Sequence, residues 1–130
     1  MKILIMRNNV TDQVTLNQGL IQAAQWCNTI RLPLVFNSVI TTKQFNSIPF
    51  SNADARGYTV DPVQVFQTAL TYNTPFDVAL LIYDWTKVTP QPTNPSDGGR
   101  GISIPIQWYA QTPSTLAQFL LHELCHFFFG

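Results

Sequence analysis

Apolar residues fall into four runs that suit strands and three segments with helical spacing. "KILIM", Lys2 to Met6, is a short apolar run closed by Arg7, Asn8 and Asn9, which suits a buried strand. From Thr15 the period changes. Leu16, Leu20, Ala23, Ala24 and Cys27 recur at helical intervals, and Thr15 with Gln18 has capping-box spacing, so a helix is predicted over 15–27, with Gly19 its weak point. "LPLVFNSVI", Leu32 to Ile40, is β-branched and aromatic, with Pro33 near its start where a missing N–H costs least. No durable period runs from Thr41 to Tyr58, so a long surface excursion is expected there.

Asp61 and Pro62 form an N-cap and first-turn pair, opening a helix to about Tyr72. "FDVALLIYDW", Phe76 to Trp85, is too continuously apolar for a strand with one wet face and is expected at the centre of the sheet. "TKVTPQPTNPSDGGR" reads as a loop throughout. "GISIPIQWY" resumes extended structure, and its Pro105 points to an edge strand. Thr112 and Pro113 then open a last helix through Phe129. The order predicts a single α+β domain: a mixed, twisted four-stranded sheet with an antiparallel edge strand, packed against two to three helices.

Composition narrows the partners. A chain of 130 residues with 45% hydrophobic content can bury a core. Seven basic and seven acidic residues are scattered singly, leaving no stripe to neutralise a phosphate backbone, so nucleic acid is not an expected partner. No apolar run reaches eighteen residues, and the N-terminal run is too short for a secretory signal, so neither a membrane span nor an address is legible. Cys27 and Cys125 both fall in predicted helices and are expected to be free, buried thiols.

Candidate chemistry is confined to one pentapeptide. The chain's two histidines, His122 and His126, and its single glutamate, Glu123, stand together in "HELCH". Residues four apart lie one above the other on a helix, so the two imidazoles present themselves to one point, a spacing that suits zinc. Glu123 lies about 100° round the helix from His122, which fits it to act as general base on a water held by the metal. A chance match to this pattern in a chain of this length is expected in well under roughly 1% of sequences. The neighbours Leu120, Leu121, Leu124 and Phe127 to Phe129 leave no polar face, so the motif is expected to be buried and paired.

"TLAQFLLHELCH" resembles the active-site helix of the zincin metallopeptidases, and the preceding order of central strand, loop, edge strand and helix resembles the zincin N-terminal subdomain. The resemblance implies a zinc-dependent peptidase in which His122 and His126 hold Zn2+ and Glu123 activates the attacking water. It also implies that a peptide or protein substrate pairs along an edge strand, here Gly101, Ile102, Ser103 and Ile104. The third zinc ligand of such enzymes lies beyond the motif helix. The expectation is therefore an N-terminal portion that lacks the C-terminal subdomain, binds zinc weakly alone, and self-associates or meets a partner through Phe127, Phe128 and Phe129. If the chain holds a third ligand of its own, Asp84 and Asp97 are the first candidates. The alternative is a non-catalytic zincin-like module kept for binding or assembly.

Overall fold

The structure, a computed structural model, describes residues 1–8, 12–49, 57–88, 93–108 and 112–129; the side chains of residues 128 and 129 lie outside the description. Its elements run β1 (Lys2–Asn8), α1 (Gln13–Thr29), β2 (Val35–Ile40), β3 (Ser47–Pro49), β4 (Tyr58–Val60), α2 (Pro62–Leu70), β5 (Val78–Tyr83), β6 (Ser96–Gly98), β7 (Gly101–Pro105) and α3 (Pro113–Phe129). The α+β expectation holds: among the described residues there are three helices, a five-stranded mixed sheet and a two-stranded antiparallel one.

The large sheet has the order β2-β1-β5-β7-β6. All its pairings are parallel except β6 with β7. β5 is the central strand, as its unbroken apolar run predicts, and all six of its residues are buried. Alternate residues of the strands feed two cores. Ile3, Ile5, Leu80, Ile82, Ile102 and Ile104 meet the inner faces of α1 and α3, whereas Leu4, Met6, Leu81 and Tyr83 meet α2 and Val60 of β4.

Three details of the sequence reading are corrected. First, the sheet has five strands rather than four, because the segment read wholly as loop contains β6. Second, Gly101–Pro105 is not the edge strand; it pairs with β5 on one side and β6 on the other, and all five residues are buried. Pro105 is tolerated because β6 reaches only as far as Ser103, so no outer partner calls for its missing N–H. Third, α1 begins at Gln13 with Asp12 as its cap: Thr15 donates its backbone N–H to Asp12 Oδ1 at 2.9 Å and its hydroxyl to Oδ2 at 2.6 Å. Those bonds hold the Asp12 carboxyl below its usual range.

The expected excursion from Thr41 contains β3, which pairs antiparallel with β4; residues 50–56 within it lie outside the described residues. Glycines mark where layers approach most closely. A Cβ on Gly19 would sit 2.7 Å from Leu116 Cδ2 and 2.9 Å from the Pro113 carbonyl, so the residue that weakens α1 as a helix lets α3 lie against it. A Cβ on Gly101 would meet the Pro62 carbonyl oxygen at 1.9 Å, which fixes β7 beneath the first turn of α2.

Candidate metal centre

Helix α3 starts at Pro113, as its proline predicts, and buries Leu116, Ala117, Leu120 and Leu124 against the sheet and α1. Glu123 sits beside this stripe and is only 6% exposed. His122 and His126 are exposed, which corrects the expectation of a wholly buried motif. α3 packs through one stripe alone, so the face carrying the imidazoles remains open despite its apolar neighbours.

The helical spacing brings the imidazoles together as expected. His122 Nε2 and His126 Nε2 are 3.0 Å apart, with the ring planes at 81°. Two nitrogens each about 2.0–2.1 Å from one zinc ion stand about 3.3 Å apart at a tetrahedral angle, so this separation fits a shared ion with a small opening of the pair.

The strand opposite the motif is β6. Ser96–Gly98 turns back through Gly99 and Arg100 into β7, a two-residue hairpin in which Gly99 adopts a φ of 58°. Side chains directly across an antiparallel pair share a face, and Asp97 stands opposite Ile102, whose side chain lies in the core under α3. Asp97 is thereby directed at the motif helix. The run leading into β6 is pinned at several points. Tyr83 donates its hydroxyl to Thr93 Oγ1 at 2.7 Å, Trp108 Nε1 donates to the Thr93 carbonyl at 2.8 Å, and Asn94 N donates to the Tyr58 carbonyl at 2.8 Å. The Trp108 ring in turn stands edge-on to Phe119 of α3, with centroids 5.2 Å apart.

The outcome is a cluster of three side chains from two elements, with His122 at its border. Asp97, Glu123 and His126 each place one ligand atom within 4.8 Å of the others, and His122 joins through its contact with His126. Burial, a hydrogen bond with Asp97 and the negative charge of Asp97, in that order, push the Glu123 carboxyl up to about 8. Imidazole nitrogens and carboxylate oxygens are the donor set zinc takes in its sites, so the residues present fit the ion that the motif implies.

Other predicted site residues lie elsewhere. Gly101, Ile102 and Ser103 spend their backbone on both neighbouring strands, and Ser103 turns its hydroxyl to the Val60 carbonyl on the far face. Ile104 is buried in the core. This stretch therefore does not offer the free edge expected of it. Asp84 caps the short turn Trp85–Lys87, accepts from Thr86 and Gln107, and takes no part in the cluster. Cys125 is exposed rather than buried, and Cys27 is buried; the two line one cavity of about 240 Å³. Phe127 is half-buried against the main core, and the side chains of Phe128 and Phe129, the other two rings of the expected contact surface, lie outside the described residues. No helix among the described residues is long and apolar enough to cross a membrane.

The role of β6 escaped the sequence reading. Its signal was "DGGR", because a glycine at the first of two turn residues, here Gly99 before Arg100, marks a two-residue hairpin. No family model, curated protein or solved structure matches this chain.

Proposed function

We propose that this chain is the zinc-binding catalytic part of a metallopeptidase. The observation that supports this best is the 3.0 Å approach of His122 Nε2 and His126 Nε2 on one helix face, with Glu123 next to His122 in sequence. Zinc, when bound, supplies a Lewis acid for the scissile carbonyl, a lowered pKa for the attacking water, and a positive charge that favours ionised Glu123. His122 and His126 hold the ion. Glu123 accepts the proton of the water through its carboxylate and returns it to the leaving amine, and its low exposure keeps that carboxylate from being solvated. The substrate strand aligns along β6, Ser96–Gly98, which is the antiparallel edge of the sheet, rather than along Gly101–Ile104.

Peptide hydrolysis by the zinc-loaded protein and its Glu123→Gln variant tests this reading. Glutamine keeps the shape and removes the base, so turnover should fall by about 10²–10⁴-fold with zinc content unchanged. Equal turnover would take Glu123 out of the mechanism. A zinc-loaded wild type with no hydrolysis of any peptide would favour the non-catalytic binding module.

A further inference from the structure

Two histidines alone leave a catalytic zinc ion under-coordinated, because such sites have three protein ligands and one open position. The third ligand must approach from off the helix, since Glu123 lies round the helix from His122 and is needed as base. Among the described residues, the Asp97 carboxylate meets this condition. Its oxygen is within 4.8 Å of both the His126 nitrogen and a Glu123 oxygen. Its position is also built rather than accidental. The hairpin through Gly99 sets its register, the pairing with Ile102 sets its face, and the anchors at Thr93 and Asn94 hold the strand that carries it.

We infer that Asp97 is the third protein ligand of the metal centre, so that the chain carries a complete His122, His126 and Asp97 site with Glu123 as the base beside it. This inference rests on the proposed zinc site and deepens it. Binding detaches Asp97 from Glu123, and the carboxylate that blocked the glutamate at close range becomes part of the coordination shell. A ligand on the edge strand also ties metal binding to substrate binding, since Ser96 and Gly98 flank Asp97 on the strand that a peptide would extend.

Zinc affinity of the full 130-residue chain, measured by titration for the wild type, Asp97→Asn and His126→Ala, decides the matter. Asparagine is isosteric and can donate to the neighbouring Glu123 carboxyl, so Asp97→Asn should fold; Asp97→Ser serves as a second variant, and metal-free thermal unfolding checks both. Residues that only orient a ligand change metal affinity by about 10–100-fold, so Asp97→Asn should lose more than about 100-fold. Cobalt(II) substituted for zinc should also lose its strong visible band in that variant. A loss under about 100-fold in Asp97→Asn, with binding abolished in His126→Ala, overturns the role of Asp97 and leaves the histidine site standing. A wild type that binds no zinc overturns both.

Discussion

A carboxylate oxygen of Asp97, on the edge strand β6, lies within 4.8 Å of one from Glu123, on the motif helix α3. The first acid comes from a segment rich in proline and glycine and the second from an apolar helix, and only the hairpin through Gly99 brings them face to face. The sheet edge and the helix meet at this cluster, where Asp97, Glu123 and His126 each turn one possible ligand atom toward the others.

The packing of α3 on α1 depends on the missing side chain at Gly19. Alanine is the better helix former by about 0.8–1.0 kcal/mol, yet its Cβ would stand 2.7 Å from Leu116 and 2.9 Å from the Pro113 carbonyl. Overpacking of that kind costs about 1–3 kcal/mol, so the clash should win. Gly19→Ala should lower the denaturant midpoint by the equivalent of up to about 2 kcal/mol. An unchanged or higher midpoint would mean that the two helices separate freely.

Tyr83 should make the fold sensitive to alkali. Burial pushes its phenol up to about 12 from an ordinary 10, outweighing its hydrogen bond to Thr93. Between those values the unfolded chain has lost the proton while the folded chain keeps it, so stability falls as pH rises. The contribution is whole below pH 10 and shrinks by about 1.4 kcal/mol per unit above it, to a loss of about 2–3 kcal/mol near pH 12. Phenolate absorbance followed with pH should show a late step that Tyr83→Phe removes. A tyrosine spectrum identical in the two proteins would contradict the buried phenol.

The two cysteines should differ in reactivity. Cys125 is exposed and Cys27 is fully buried, with burial and the nearby Cys125 raising the Cys27 thiol above its usual range. A disulfide reagent should therefore modify one thiol quickly in the native protein and both after unfolding. Cys125→Ser should abolish the fast phase, and a fast phase that survives would place Cys27 at the surface.

Much of the core was legible because it follows periodicity. The run Val78–Tyr83 is too apolar for any place but the middle of the sheet, and Thr112 with Pro113 marks the start of α3. What escaped depends on pairing across the chain. Pro105 marks an edge by local rules, but an edge is a relation to a neighbour, and a strand as short as Ser96–Gly98 has no period to announce it. The site divided in the same way: helical spacing alone placed His122 beside His126, whereas the contact of Asp97 with Glu123 depends on the β6–β7 register. Exposure of the imidazoles was missed because adjacent leucines were read as closing the helix surface, when packing covers one stripe.

The proposed His122 and His126 site should hold one zinc ion, and zinc stoichiometry measured on the purified chain tests this most directly. The wild type should take up one equivalent of zinc, and the His122→Ala, His126→Ala double variant should take up none at the same concentrations while unfolding at nearly the same temperature without metal, since both imidazoles are exposed. Equal zinc content in the two proteins would contradict the site.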